Sequence, residues 1–179
     1  MKKPLLLGLI LLLSVSLFGC VDKGNEVQLK QNKQPLEKQQ EANKSDVASV
    51  VRLVEEFGTK LQRVSLQAPK DIVNKSMQEN YGDFVSPTLL AEWLKNPGNA
   101  PGRVLSSPWP DRIEILSLEK LSEYAYEVKG EIVEMTSMEK VSGGVAAKRP
   151  ITLLVKKIRN RWLIDAATLG AYEETKTGK

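Results

Sequence analysis

The most reactive side chain in this 179-residue sequence belongs to its single cysteine, Cys20. A thiol can act as a nucleophile, a metal ligand or an attachment point, and each use needs different neighbours. The sequence contains no histidine, which excludes Ser-His-Asp and Cys-His catalytic arrangements and any imidazole metal ligand. One cysteine cannot form an internal disulfide or a cysteine-cluster zinc site. We therefore expect no internal disulfide, no metal and no cofactor.

The residues before Cys20 have the layout of a secretory signal. Lys2 and Lys3 form a basic start, and residues 5–18 are apolar apart from one glycine and two serines. As a helix this stretch would span about 21 Å, against a hydrocarbon core of roughly 30 Å. It is therefore short for a transmembrane helix and typical of a signal peptide.

The four residues Leu17-Phe18-Gly19-Cys20 resemble the lipobox of bacterial lipoproteins. The resemblance implies transfer of diacylglycerol to the Cys20 thiol and cleavage between Gly19 and Cys20. It predicts a signal peptide at 1–19 and a protein anchored by lipid to the outer side of a bacterial membrane. An uncleaved anchor with an incidental cysteine is the alternative.

The segment after the lipobox is polar. Only 5 of residues 21–46 are apolar, and five lysines balance five acidic residues. Such a segment buries too little to offset its ordering entropy, so we expect residues 20–46 to be a lipidated cysteine followed by a disordered tether. A helical extension over residues 36–44 is the alternative, because Glu, Lys and Gln favour helix.

Residues 47–179 have a composition typical of one folded domain. Their net charge is 19 − 17 = +2, so the overall charge of +4 and the isoelectric point near 9.1 are poor indicators of nucleic-acid binding, and we expect none.

Three helices are predicted in the first half of the domain. The first, capped by Ser45 or Asp46, has apolar residues at helical spacing, namely Val47, Val50, Val51, Val54, Phe57, Leu61 and Val64. The second runs from Pro69 to about Tyr81, with a face of Ile72, Val73, Met77 and Tyr81. The third opens at Ser86-Pro87 and closes at Asn96-Pro97. A long proline-rich connection covers residues 96–112.

From residue 111 the apolar period changes to two, which predicts antiparallel strands. Residues 124–129 alternate most clearly, and Gly130 is expected at a bulge or bend. Residues 151–158 and 162–168 predict a closing hairpin, joined at Arg159-Asn160-Arg161, where Asn160 tolerates positive φ. Helices followed by such a meander predict an α+β fold with N-terminal helices packed on a curved antiparallel sheet.

This order of elements, with the hairpin Leu-Leu-Val-Lys-Lys-Ile-Arg-Asn-Arg-Trp-Leu-Ile-Asp, resembles the nuclear-transport-factor-2-like (NTF2-like) superfamily over residues 47–170. The resemblance implies a cone-shaped sheet around a cavity and, through pairing of open sheet faces, a homodimer. A cystatin-like helix-on-sheet arrangement is the alternative.

Two groups of residues are candidates for a binding surface. A ligand or partner surface is predicted from Tyr81, Trp93, Arg103, Trp109 and Arg112, with Trp109 held between prolines as an anchor. Contact with an anionic surface is predicted from Lys156, Lys157, Arg159 and Arg161. Packing of the aromatics in the core, and a solvated charged hairpin, are the respective alternatives.

Ketosteroid isomerase, which shares the cone fold, suggests what an enzyme on this chain would need. A carboxylate base and a tyrosine donor would have to share an apolar pocket, and Asp165 with Tyr81 or Tyr126 are the candidates. Nothing in their spacing brings them together. We therefore expect a non-enzymatic, membrane-anchored module for protein interaction or envelope assembly. The alternatives are small-molecule or lipid binding in the cone cavity and, ranked last, a lyase or isomerase.

Overall fold

The structure is a computed structural model that describes residues 34–174, with side chains at position 41 and from 43 to 172. The chain divides into two compact units, residues 1–38 and 39–179. Of the first unit only residues 34–38, at the start of a helix, are described, and every contact below lies in the second. The helices are α1 (Gln34–Gly58), α2 (Lys70–Tyr81), α3 (Pro87–Lys95) and α4 (Ser137–Ser142). The strands are β1 (Trp109–Ser122), β2 (Ala125–Met135), β3 (Ala147–Ile158), β4 (Arg161–Leu169) and β5 (Glu173–Glu174).

Helix α1 begins well before the predicted start of the domain. Residues 34–46 are helical, so the prediction of a disordered tether is wrong for this part, and the predicted cap at Ser45 or Asp46 is wrong as well. The helical alternative is the one observed, because the residues of this stretch have high helix propensity. The lipobox, Gly19, Cys20 and the rest of the predicted tether lie outside the described residues.

Helices α2 and α3 lie where the sequence predicts them. Pro69 is the N-cap of α2 rather than its first residue. The Ser86 hydroxyl caps α3 by accepting a hydrogen bond from the backbone N–H of Leu89 at 3.2 Å. The predicted apolar faces of α1 and α2 each contain one exposed residue, Val47 on α1 and Ile72 on α2. The other residues of these two faces are at least partly buried.

The sheet is antiparallel, with strands in the order β1-β2-β3-β4 and β5 paired with β3. Arg159 and Asn160 form the β3–β4 turn, both with positive φ (48° and 65°), so the turn is one residue shorter than predicted. Gly130 does not bulge. It pairs with Ile115, and the register shift falls on β1 between Ile115 and Ser117. A Cβ at Gly130 would lie 2.7 Å from the Glu114 carbonyl oxygen, so close approach of β1 explains the glycine.

The core lies between the helices and one face of the sheet. Four aromatic rings meet there, with Phe57 contacting the rings of Tyr81, Phe84 and Trp93 at centroid distances of 5.1, 6.2 and 6.4 Å. Ile113, Tyr126, Val128, Ile132, Ile151, Leu153, Val155 and Ile164 close the core from the sheet side. The predicted α+β arrangement, with N-terminal helices packed on an antiparallel sheet, is confirmed.

The two ends of the sheet differ. At the hairpin end, β1 turns into β2 and β3 into β4; at the distal end, β1 and β3 begin and β2 and β4 end. Helix α1 meets the hairpin end first, because Asn43 hydrogen-bonds Lys120 and Asp46 pairs with Lys157. The 11 residues of β2 separate the two ends by about 36 Å.

Candidate functional site in the distal end of the sheet

The predicted partner surface is not a single surface. Tyr81 and Trp93 are 0% and 2% exposed, so their assignment to a surface is wrong and the core alternative holds. Both occupy the helix–sheet interface because they lie on the inward faces of α2 and α3. The Tyr81 hydroxyl donates a hydrogen bond to the Pro101 carbonyl oxygen at 2.7 Å, which ties the core to the proline-rich connection.

Arg103 holds the same connection through its backbone. Its N–H donates to the Val64 carbonyl at 2.8 Å, and its carbonyl accepts from the Leu66 N–H at 2.9 Å. The side chain is partly buried, and its Nε has no hydrogen-bond partner among the described residues. The backbone of Arg103 therefore bonds to Val64 and Leu66, whereas Arg112 contacts residues of β1 and β2.

Trp109 and Arg112 do lie together, on the face of the sheet opposite the helices. Trp109 pairs with Met135 in the β1–β2 register, and Arg112 Nη1 contacts Met135 Sδ at 3.6 Å. Arg112 also pairs with Asp111 at 3.2 Å and with Glu114. Trp109 is partly buried and, among the described residues, is not part of the core cluster.

The cationic hairpin is partly neutralised. Lys156 pairs with Asp165 at 2.7 Å and Lys157 pairs with Asp46 at 3.0 Å. Arg161 donates to the Asp83 carbonyl at 3.2 Å, and Arg159 occupies the exposed turn. Contact of these four residues with an anionic surface stays a prediction.

The candidates for acid–base chemistry do not converge as the isomerase comparison requires. Asp165 pairs with Lys156, which is the first cause of a pKa below its ordinary value, whereas the Tyr81 hydroxyl is buried on the Pro101 carbonyl. Tyr126 instead lies near Asp46, which the sequence presents as a helix cap. Burial and the charge of Asp46 raise the pKa of Tyr126, and its hydroxyl has no hydrogen-bond partner among the described residues. The Asp46 carboxylate is already held by Lys157 and Trp162.

A different pocket opens at the distal end of the sheet. It has a volume of about 430 Å³. Its walls come from the connection before β1, the last residues of β2, the start of β3 and the segment after β4, namely Val104, Leu105, Pro108, Glu134, Ala146, Ala147 and Tyr172. Most of these side chains are apolar, so the one carboxylate among them defines the chemistry of the pocket.

Glu134 lies on the core face of β2. Tyr126, Val128 and Ile132 precede it at even spacing on that face, so the alternation of the strand places the carboxyl inward. The residue is 7% exposed. Burial raises the pKa of Glu134, whereas a hydrogen bond from Tyr172 and the charge of Arg149 act in the opposite direction.

Arg149 stands behind Tyr172 rather than in the wall of the pocket. Its guanidinium lies 4.8 Å from the centre of the Tyr172 ring, and its Nε donates to the Gly170 carbonyl at 2.9 Å. Burial is the first cause of a raised pKa for Tyr172, followed by the charge of Glu134. Tyr172 and Arg149 therefore both act on the ionisation of the Glu134 carboxyl.

Sequence reasoning did not select Glu134, Arg149 or Tyr172. The available signal was the phase of β2, since a glutamate occupies the position at which the strand's buried face continues. The residues that line the pocket with Glu134 have no local signal. Leu105 and Tyr172 lie 29 and 38 residues from Glu134 along the chain.

Comparison with known proteins finds similarity among solved structures. No family model and no curated protein matches this sequence. The chain is similar to an NTF2-like protein of unknown function from Shewanella oneidensis MR-1, with 17% identity over 70% of this chain and 99% of that chain, at a TM-score of 0.38. That likeness carries no argument about function, so the proposals below rest on this chain's own residues. In the described part of the chain, no helix is long and apolar enough to cross a membrane and no group of three metal-ligating side chains is present.

Proposed function

We propose that the protein is a membrane-anchored extracytoplasmic lipoprotein whose folded domain is a non-enzymatic interaction module of the bacterial cell envelope. The observation that carries the proposal is a group of exposed apolar side chains at the distal end. Leu105, Met138 and Val141 are 61%, 73% and 91% exposed. Exposed apolar side chains at one end of a domain are typical of interaction sites.

Met138 and Val141 belong to α4, which is held at the distal end of the sheet. Helix α4 follows directly on β2, and Lys140 ties it to the start of β1 through an ion pair with Asp111 at 2.6 Å. The Thr136 side chain caps α4, and Glu139 bonds back to the Thr136 N–H at 2.9 Å, which fixes the helix despite its six residues. Half-buried Trp109 and Arg112 begin the adjoining strand, and both types are frequent in binding hot spots.

The proposed surface lies at the end of the sheet opposite the contacts of α1. Asn43 and Asp46 contact the sheet at the hairpin end, whereas α4 follows β2 at the distal end. A diacylglyceryl group on Cys20 would give two acyl chains, enough for stable anchoring. The partner belongs to the same envelope, and a second copy of the chain is one candidate for it.

The packed interior favours an interaction module rather than a domain that binds a ligand inside a cone-shaped sheet. Phe57, Tyr81, Phe84 and Trp93 occupy the space between the helices and the sheet. A cavity for a small molecule or lipid in that space would require these rings to move apart. The distal pocket is a separate site, and its chemistry is different.

The test is site-specific photocrosslinking of the lipidated protein in its own membrane. A photoreactive residue at Val141 is expected to give one defined adduct, whose mass separates a second copy from another protein. The same residue at Glu119, exposed on β1 toward the hairpin end, is the matched control. Equal adducts from both positions, or none from Val141, would exclude the distal surface as an interaction site.

The anchor is tested separately. Cys20→Ala is expected to abolish acylation and normal processing, as measured by mass spectrometry of the purified protein. Acyl chains on the variant would show that Cys20 is not the attachment point.

A further inference from the structure

We propose that the distal pocket is a binding site for a small organic amine, with the ammonium group on the Glu134 carboxylate and the hydrocarbon part against Val104, Leu105 and Pro108. This inference does not depend on the lipid anchor or on the interaction surface.

The volume and walls of the pocket suit a ligand of this size. About 430 Å³ lies within the range of small-molecule sites, which are mostly apolar with a few polar groups that orient the ligand. Here the apolar walls come from the connection before β1 and from Ala146 and Ala147, and the polar groups are Glu134 and the Tyr172 hydroxyl. One end of the ligand is therefore expected to be polar and the rest hydrocarbon.

The charge of the pocket selects a cation. Glu134 is the only charged residue in its wall, among the residues that the structure describes. Arg149 neutralises it only partly, because the guanidinium lies across the Tyr172 ring and donates its Nε–H to Gly170. A buried carboxylate without a full counter-charge is costly, and a cation bound beside it would remove much of that cost.

The Tyr172 ring adds to the preference for ammonium. It lies in the wall of the pocket with Arg149 against it, which shows that this ring accepts cationic contact. Tyr172 and Glu134 line the same pocket, and the Tyr172 side chain lowers the pKa of the carboxyl. An anionic ligand would have to approach this carboxyl, and like charges in such a site repel strongly.

Binding of a cation is expected to change the protonation of Glu134. Burial raises the pKa of Glu134, so its neutral form persists to a higher pH than that of a solvated glutamate. An ammonium group would favour the ionised form, so binding is expected to release a proton in the pH range where Glu134 is part protonated.

The test is calorimetric titration of the full-length protein in detergent with n-hexylammonium, with n-hexanol as the neutral ligand of similar length. Saturable binding of the amine, at least tenfold tighter than that of the alcohol, is expected. Glu134→Gln is expected to weaken amine binding at least tenfold and to leave the alcohol unchanged. Glu131→Gln, on the opposite face of the same strand and paired with Lys148, is the matched control and should bind the amine as the unmodified protein does.

A second variant covers the case in which Glu134→Gln fails to fold. Leu105→Arg places a cation at the pocket wall on a side chain that is 61% exposed, so the fold should tolerate it. It is expected to reduce amine affinity at least tenfold, whereas Val141→Arg, outside the pocket at the same end, should not. Equal affinity for amine and alcohol, or full amine binding by Glu134→Gln or Leu105→Arg, would overturn the proposal.

Discussion

The Asp46 carboxylate accepts a hydrogen bond from the indole Nε1 of Trp162 at 3.1 Å and thereby joins helix α1 to the last hairpin of the sheet. The same oxygen accepts from Lys157 Nζ at 3.0 Å. Trp162 packs edge-on against Tyr126 at 5.2 Å, so the contact continues into the core. The point at which α1 first meets the sheet is therefore held by a charge-assisted pair of hydrogen bonds.

Replacing Asp46 should loosen this end of the domain. Asp46→Ala removes the acceptor shared by Lys157 and Trp162, and we expect a loss of about 1–3 kcal/mol in the free energy of unfolding. Asp46→Asn keeps an acceptor for Trp162 but removes the carboxylate charge that pairs with Lys157, so its loss should be smaller. Urea unfolding followed by Trp fluorescence measures both.

Glu56→Ala is the control on the same helix, because Glu56 is exposed. Its effect should lie within about 0.5 kcal/mol. Equal stability of Asp46→Ala and the unmodified protein would show that the helix does not depend on this contact.

The local elements of the fold could be predicted because each has a local signal. Ser86 and Pro87 mark the start of α3, and the alternation after residue 124 marks β2. Asp46 shows where local signals fail. A polar residue before an apolar run is typical of a helix cap, but its partner Trp162 lies 116 residues away. The helix continues through Asp46 because the tertiary contact and the helix-favouring residues before it outweigh the capping preference.

The candidate site could be predicted less well than the fold. Large aromatics such as Tyr81 and Trp93 suit both a core and a binding surface, and only the helix orientation decides between them. The sequence alone does not distinguish Glu134 from an exposed charged residue at the end of a strand. Leu105 and Tyr172 line the same pocket as Glu134 only in the folded chain, because the three residues are far apart in the sequence.

Gly58, at the end of α1, is predicted to resist substitution. Alanine normally stabilises a helix relative to glycine by about 1 kcal/mol. Here a Cβ would lie 2.6 Å from the Ile113 backbone nitrogen, so α1 and β1 would have to separate. We expect Gly58→Ala to lower the free energy of unfolding by about 1–3 kcal/mol despite the gain in propensity.

Gly98 is the matched control for Gly58. A Cβ at Gly98 would meet nothing within 4 Å, and its backbone φ is not in the left-handed region. Gly98→Ala should therefore change stability by less than about 0.5 kcal/mol in the same urea unfolding experiment. Similar losses from both variants would argue against a close contact between α1 and β1.

The Tyr81 hydroxyl is predicted to contribute measurably to the free energy of unfolding. Tyr81→Phe keeps the ring contacts with Phe57 and Trp93 but leaves the buried Pro101 carbonyl without its donor. We expect a loss of about 1–2 kcal/mol, since the carbonyl stays desolvated. Tyr124→Phe is the control at an exposed tyrosine and should have no measurable effect. Thermal unfolding of the two variants side by side distinguishes them.

The buried carboxyl of Glu134 predicts a pH dependence opposite in sign to that of an ion-paired glutamate. Because burial raises its pKa in the folded state, the folded protein binds more protons than the unfolded chain at pH values above the unfolded pKa of about 4.5. Its contribution to stability is therefore greatest at or below that pH and falls as the pH rises through the folded pKa. Arg149 and Tyr172, the groups that face the carboxyl, reduce this effect without reversing it.

Glu114 supplies the comparison within the same sheet. Its pKa is lowered, first by the hydrogen bond from Arg112, so its contribution is present above pH 4.5 and is lost as the pH falls. Unfolding free energies should be measured from about pH 2.5 to pH 8, so that the range covers both carboxyls. Glu134→Gln should gain stability relative to the unmodified protein as the pH rises above 4.5, whereas Glu114→Gln should lose stability relative to it as the pH rises toward 4.5. A parallel pH course for the two variants would show that folding does not raise the pKa of Glu134, which would contradict burial of its carboxyl in the pocket.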